Sequence, residues 1–363
     1  MRQTLSRFTI TGVVQGVGFR PFVRNACIRA GISGSIRNTG DGVETIVDDA
    51  ETFEKILTAL PNHMRIDSVC RESIDGQAIG FRILGSSGDG HAEIPPDLFL
   101  CDDCLTELTD PENRRFGYFF LTCTLCGPRF TIAESSPYDR ATTTMRDFVM
   151  CPDCQKEYGD PSDRRFHAQT IACPACGPKL TLYEYGKPLD LPDDTEKLCY
   201  VSRAFGKNEI LAIKGIGGFH LFCNTQDKTI KKLDTLTGRH RKPYAVLCRD
   251  IVMARGIATL TPEEERGLLS PERPIVLARK NARSPDASEL DTIGIMLAST
   301  ALHILLFEHF PHPLICTSSN LAHAPLTTER TEQFTSLVLN HDRRIVQAAD
   351  DSVLKVIDKT PLL

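Results

Sequence analysis

No apolar run in this 363-residue sequence approaches the ~18–20 residues that would span a bilayer, which excludes a transmembrane helix as an expected element. The first residues, MRQTLSRFTITG, contain no apolar core before their glycine, so no secretory signal peptide is expected. There is no excess of positive charge: net charge is −5 and the isoelectric point about 6.1, which argues against a general nucleic-acid binder. No Gly-x4-Gly-Lys-Ser/Thr pattern occurs, so a P-loop fold is not expected. These absences lead to an expectation of a cytoplasmic protein without membrane contact. What remains is ordinary for soluble globular chains, with 41% hydrophobic and 25% charged residues, and the length suggests two to four domains.

Cysteine is abundant. Eight of the 14 fall in four Cys-x2-Cys pairs: Cys101/Cys104, Cys123/Cys126, Cys151/Cys154 and Cys173/Cys176. The other six, Cys27, Cys70, Cys199, Cys223, Cys248 and Cys316, are isolated and expected to be core residues. The pairs sit in an internal repeat. CDDCLTELTDPENRRF and CPDCQKEYGDPSDRRF align at an offset of 50, and both units close on Cys-x2-Cys-Gly-Pro. Each reads Cys-x2-Cys-x18-Cys-x2-Cys, and four thiolates at that spacing suit one tetrahedral Zn²⁺. Two closed structural sites are therefore expected, with metal binding coupled to folding in a region of few aliphatic residues. Iron–sulfur ligation and free or bridged thiols are the alternatives. Pairing of ligands within a repeat is favoured over pairing across repeats, although spacing alone does not decide it. Between the pairs, the two Arg-Arg-Phe triplets are expected to line an anion path or an interdomain surface, or else to form salt bridges around small zinc lobes, and His167 is expected as a polar contact rather than a fifth ligand.

Before the repeats, strand and helix patterns alternate. Residues 7–14 read as a strand, Pro21 to Ala30 as a helix with Pro at its first position, then two strands around Gly40-Asp41-Gly42, a helix at AETFEKILTAL, and closing strands at IDSVCRESI and GFRIL. That order is a split β-α-β unit of the ferredoxin-like kind. Within it, Gln15-Gly16-Val17-Gly18-Phe19-Arg20 joins a strand to a helix start. Glycines let backbone N–H groups converge, the helix N-terminus adds positive potential, and Arg20 supplies a fork for phosphate. The plain alternative is a glycine turn beside a surface arginine. Asn38, near a strand end, is either aimed at this loop or caps the following turn.

After the repeats, from about residue 198, an α/β pattern carries Lys214 in KGIGGFH, Arg239, Arg241 and Lys242 in RHRK, Arg273, and Thr317-Ser318-Ser319-Asn320. Arginine and lysine neutralise phosphates, and hydroxyl and amide groups hydrogen-bond them. The expected division is therefore 1–88, 94–182 and 195–363, in a multidomain α+β and α/β chain.

VVQGVGFRPFV with RNTGDGVE resembles the acylphosphatase family, in which the loop binds phosphate, the arginine at the position of Arg20 holds it, and the asparagine at the position of Asn38 orients the attacking water. KGIGGFHLFCN, RHRKPYAVL, SPERPIVL, CTSSN and HDRRIVQAADDSV resemble a YrdC-type nucleotide-binding domain. With CTLCGPRFTI, PYDRATTTM and DRRFHAQ between them, the whole chain resembles the HypF family of hydrogenase-maturation carbamoyltransferases. The resemblance implies hydrolysis of carbamoyl phosphate at the first domain and ATP-dependent activation of the carbamate as carbamoyl-adenylate at the YrdC-like domain, with Mg²⁺. It further implies transfer to the C-terminal cysteine of HypE, on the way to the cyanide ligands of nickel–iron hydrogenase. Family members continue for several hundred residues past the position of Leu363, so the chain is expected to be the N-terminal part of such an enzyme or one half of a split pair. Two other readings stay open at this point: a hydrolase only, and an RNA-binding or tRNA-modifying YrdC-type protein.

Overall fold

The computed structural model describes residues 3–238, 243–320, 326–330 and 332–363. By packing, the chain falls into two compact units, Met1–Asp97 with Thr122–Gly177, and Leu98–Leu121 with Pro178–Leu363.

The first unit opens with β1 (Gln3–Val13), α1 (Phe19–Ala30), β2 (Gly34–Thr39), β3 (Gly42–Val47), α2 (Ala50–Leu57), β4 (Arg65–Gly76) and β5 (Phe81–Ile83). The strands form one sheet in the order β4-β1-β3-β2-β5, antiparallel except for β2 with β5. Alternation puts Phe8, Ile10, Ile36, Val43 and Val47 on the face packed by Phe19, Val23 and Cys27 of α1 and by Phe53 of α2. The helix begins at Phe19, with left-handed Gly18 as its N-cap, two residues before the expected start at Pro21. Pro21 still lies in the first turn, where a missing N–H costs nothing, and Phe22 makes the first helical bond to the Gly18 carbonyl at 3.0 Å.

Each cysteine repeat opens with a short helix, α3 (Asp102–Thr109) and α4 (Pro152–Gly159), entered directly from Cys101 and Cys151. The apolar core of the second repeat is small: Cys154, Ala168, Ile171 and Cys173, with Met150, Tyr158 and Cys176 partly buried around it. The second arginine of each Arg-Arg-Phe triplet is buried rather than solvent-paired. Arg115 and Arg165 are 2% and 3% exposed, and Arg165 donates to the Thr122 carbonyl at 3.0 Å.

The second unit contains β6 (Leu180–Glu184), β7 (Lys187–Pro188), α5 (Asp194–Gly206), β8 (Leu211–Lys214), β9 (Phe219–Asn224), α6 (Asp227–Thr237), β10 (Ala245–Cys248), α7 (Ile251–Ile257), β11 (Ala258–Thr259), α8 (Pro262–Leu269), β12 (Ile275–Lys280), β13 (Thr292–Leu297), α9 (Ala301–His309), β14 (Leu314–Ser318), β15 (Leu337–His341), β16 (Val353–Ile357) and β17 (Thr360–Leu362). They build a mixed twelve-stranded sheet, β17-β16-β12-β13-β10-β14-β9-β8-β15-β6-β7, with β11 beside β12. Its core gathers Phe219, Leu221, Val246, Ile295, Ile315 and Val338. Cys27, Cys223, Cys248 and Cys316 are buried as expected of core cysteines, and burial pushes the Cys27, Cys223 and Cys248 thiols up to about 12. Cys70, on β4, is exposed, and Cys199, on α5, is only partly covered, so the core expectation fails for those two. No helix among the described residues is long and apolar enough to cross a membrane.

Candidate anion pocket and thiolate clusters

The loop between β1 and α1 turns through two left-handed glycines, Gly16 at φ 71° and Gly18 at φ 77°, a conformation that costs glycine nothing. Gln15 anchors its start. The Gln15 side chain is buried, donates to the Thr39 and Gly42 carbonyls at 2.8 and 2.6 Å, and accepts from the Tyr138 amide at 2.7 Å. Gln15, Gly16, Gly18 and Arg20 line a pocket together with Thr124, Arg129, Tyr138, His167 and Gln169.

Arg20 lines this pocket, and Asn38 is bonded to the main chain of Tyr138, one of its lining residues. Arg20 is 8% exposed; its guanidinium pairs with Asp139 Oδ1 at 2.7 Å and donates to Ser86 Oγ at 3.3 Å. Asn38, on β2, is fully buried and donates from Nδ2 to the Tyr138 carbonyl at 3.1 Å. Asn38 Oδ1 is buried and accepts no hydrogen bond from the described residues. The plain alternatives therefore do not describe these residues: Arg20 is not a surface arginine, and the Asn38 amide reaches Tyr138 rather than capping its own turn. Val17 and Phe19 of the loop turn inward and are 1% exposed, so they support the loop from the core.

Pattern reading assigned no site role to Tyr138, Asp139 or Arg129; Tyr138 and Arg129 line the pocket, and Asp139 pairs with Arg20. Arg129 is 2% exposed. Its Nε donates to the Gly16 carbonyl at 2.5 Å, and its two terminal nitrogens donate to the carbonyls of Cys123, Thr124, Cys126 and Pro128 at 2.9–3.1 Å. The turn between Cys123 and Cys126 is thereby tied to the anion loop. A sequence signal existed: PYDRATTTM lies between the repeats and belongs to neither, so repetition does not explain it. Tyr138 is buried, which pushes its hydroxyl up to about 12 and keeps it protonated.

The eight paired cysteines form two sets, Cys101/Cys104/Cys123/Cys126 and Cys151/Cys154/Cys173/Cys176, each with its sulfurs within 4.8 Å of one another. The Sγ–Sγ distances at Cys123–Cys126, Cys151–Cys173, Cys173–Cys176 and Cys154–Cys176 are all 3.7 Å. A tetrahedron with metal–sulfur bonds of about 2.3 Å has edges of about 3.8 Å, so both sets fit structural zinc and neither is a pair of disulfides. Ligands gather within a repeat, and four thiolates leave no open position for catalysis.

In the second unit, Lys214 ends β8, Thr317 and Ser318 end β14, and Ser319 follows. The strand ladder brings Lys214 opposite Phe219 and Ser318 opposite His220, which puts these residues at one end of the sheet. Lys214 Nζ, however, donates to the carbonyls of His341 and Arg343 at 3.0 and 2.8 Å, and burial followed by the Arg343 charge pulls its pKa down to about 8. Arg273, left-handed at φ 50°, stacks over the Phe99 ring at 3.8 Å and donates to the Leu268 carbonyl at 3.0 Å. Ser319 is buried with no partner for its hydroxyl among the described residues, and Asn320 follows it, partly buried. Arg239, Arg241 and Lys242 lie outside the described residues. A third group of potential ligands, His220 with Asp350 and Asp351, clusters within 4.8 Å, with His220 Nε2 at 3.3 Å from Asp351 Oδ2. Burial opposes the imidazolium of His220, but Asp351 outweighs it and raises the pKa.

The described residues thus combine a five-stranded ferredoxin-like sheet with a glycine loop, two four-cysteine clusters and a second, mixed sheet flanked by helices. The acylphosphatase family matches residues 6–83, the HypF finger residues 100–133 and 150–183, and the Sua5–YciO–YrdC family, described as telomere recombination, residues 203–363. The chain is 43% identical over 377 residues to the carbamoyltransferase HypF of Rhizobium leguminosarum bv. viciae, covering 98% of this chain and 48% of that protein. It is 41% identical over 373 residues to a probable carbamoyltransferase HypF of Methanocaldococcus jannaschii, covering 97% and 48%. A full-length HypF crystal structure in phosphate- and nucleotide-bound form superposes with a TM-score of 0.92 at 37% identity, covering 99% of this chain and 50% of that one. The chain belongs to the HypF carbamoyltransferase family. It spans about half the length of the curated relatives it matches.

Proposed function

We propose that the chain is the N-terminal part of a carbamoyltransferase, organised as 1–88, 94–182 and 195–363, that hydrolyses carbamoyl phosphate and activates the released carbamate with ATP. The observation that supports the hydrolytic step is buried Arg20 lining the pocket of the glycine loop, with buried Asn38 bonded to Tyr138 of the same pocket and its Oδ1 left as an acceptor among the described residues. In this reading, loop N–H groups and Arg20 hold the phosphoryl oxygens, and Asn38 orients a water toward phosphorus. The anhydride is already activated, so positioning and charge stabilisation suffice and no covalent nucleophile is needed. Substrate displaces Asp139 from Arg20 on binding. The two zinc sites are structural. Carbamate and ATP-Mg²⁺ then meet at the Lys214, Ser318 and Ser319 end of the second sheet, with Arg239, Arg241, Lys242, Arg273, Thr317 and Asn320 as the other candidate contacts. They give carbamoyl-adenylate and pyrophosphate, and the carbamoyl group passes to the C-terminal cysteine of HypE. Carbamate breaks down in water, which is a physical reason to keep both steps on one chain. The cytoplasm is the expected compartment.

A hydrolase-only reading has one observation in its favour: the ammonium of Lys214 is already taken up by two backbone carbonyls. Following phosphate and pyrophosphate separately, with ATP and carbamoyl phosphate supplied, distinguishes the two. Arg20→Ala is expected to lower carbamoyl phosphate hydrolysis by at least ~100–1,000-fold with the fold intact. Unchanged turnover removes the hydrolytic assignment. Pyrophosphate exchange that requires carbamoyl phosphate and disappears in Arg20→Ala supports coupled sites. Phosphate release without any exchange leaves only the hydrolase.

A further inference from the structure

The two cysteine repeats act as an internal control on each other. At the offset of 50, Gly117 of the first corresponds to His167 of the second. Their backbones agree: Gly117 has φ 63° and His167 φ 56°, and their amides donate to the carbonyls of Leu108 and Tyr158, themselves 50 apart, at 2.9 and 3.0 Å. Preceding turns agree as well, with the Arg115 and Arg165 amides bonded to Asn113 and Asp163 side chains. The repeat therefore demands a left-handed residue here. The first copy meets the demand with glycine, which adopts that conformation freely. The second meets it with a side chain that strains it, although histidine tolerates it better than most. Backbone geometry does not account for the histidine, so its side chain must.

That side chain lines the Arg20 pocket with Gln15, Gly16, Gly18, Tyr138 and Gln169. Its ring is wedged against Phe166, edge-on at 4.5 Å between centroids, and against Tyr158 at 5.0 Å. The charged groups facing it are Arg20 and Arg24 of α1 and Asp139.

We propose that His167 is a catalytic residue of this pocket, the base that takes the proton of the attacking water during acyl-phosphate hydrolysis. The proposal rests on the hydrolase reading above. In the step, an O–H bond of water breaks and its proton goes to a ring nitrogen. The water oxygen bonds to phosphorus, and the phosphorus–acyloxy bond breaks with its electron pair leaving on the carboxylate or carbamate oxygen. The imidazolium then returns its proton to solvent. Accepting the proton at a side chain also keeps it off the carbamate, whose protonated form falls apart. Burial, then Arg20 and Arg24, push the His167 pKa down to about 4 against the opposing pull of Asp139, so the ring is neutral at neutral pH.

His167→Gly gives the second repeat the residue the first already uses, so it relieves strain instead of adding it. In the 363-residue chain with carbamoyl phosphate, kcat is expected to fall about 100-fold with KM changed less than about twofold. Zinc content and melting temperature are expected to hold, and added imidazole to restore part of kcat in proportion to its free base. Unchanged kcat, a loss confined to KM, a fall in zinc content or melting temperature that accounts for the loss, or a loss that imidazole does not restore each overturns the proposal. If the unsubstituted chain itself shows no turnover, the hydrolase reading fails and takes this one with it; turnover equal in both chains overturns the His167 role alone.

Discussion

Arg20 and Lys214 are both buried cations in segments expected to meet phosphate, yet they are held by opposite kinds of partner. Arg20 is held by a carboxylate, Asp139 at 2.7 Å; Lys214 is held by two neutral backbone carbonyls at 2.8 and 3.0 Å. A phosphate dianion offers more charge and more acceptor oxygens than one carboxylate, and the displaced Asp139, itself 24% exposed, can turn to water. Carbonyls stripped of Lys214 would each lose a hydrogen bond from a charged donor, at a cost of about 1–3 kcal/mol. On the proposed reading the first arrangement is open to exchange. The second is a structural tie that must be broken before Lys214 can serve a ligand.

The largest expected effect falls on the frame shared by the first site. Cys154→Ser removes one fully buried thiolate of the second set. It is expected to reduce zinc from two to one per chain by elemental analysis and to take hydrolysis to background, because metal binding here replaces a hydrophobic core. Retention of two zinc ions would show that the set is not a tetrathiolate site. A smaller effect sharpens the exchange argument. Asp139→Asn leaves Arg20 without its competing charge and is expected to tighten inorganic phosphate about five- to tenfold, roughly 1 kcal/mol, by calorimetric titration. Equal or weaker binding would mean that Asp139 orients Arg20 more than it competes.

The other side of the comparison is tested at Lys214. Lys214→Met should destabilise the chain by about 2 kcal/mol in denaturant titrations. The folded pKa of about 8 lies below the ordinary 10.5, so the unfolded chain binds more protons between those values and wild-type stability rises with pH across that window. The cost of the substitution should therefore grow between about pH 8 and 10.5. A cost that shrinks there would show that the ammonium form is the one stabilised.

Much of this was legible in one dimension because the signals were local. Glycine pairs mark a turn that few other residues can make, period-2 alternation marked β1 to β3, and cysteine spacing within 26 residues encodes a metal tetrahedron almost regardless of what surrounds it. Helix α1 was readable as well, and only its start was misplaced, because a left-handed Gly18 caps it two residues before the proline. The isolated cysteines were readable only on average. Cys223, on β9, is covered on both sheet faces, whereas Cys70 is on an edge strand whose outer side faces solvent.

Local pattern could not decide what faces what. That Asp139 would meet Arg20 across 119 positions, that Arg129 would clamp Gly16 across 113, and that Lys214 would be spent on carbonyls 127 and 129 residues away are consequences of chain closure, which carries no periodicity to read. The sequence by itself determined the glycine loop and the two four-cysteine sets, since short-range geometry and bonding chemistry specify both, and its resemblance to known motifs pointed to the family. Only the tertiary structure decided which cation pairs with a carboxylate and which with backbone carbonyls, and which copy of a duplicated turn carries a side chain into the pocket, because those depend on long-range contacts whose strength is set by burial.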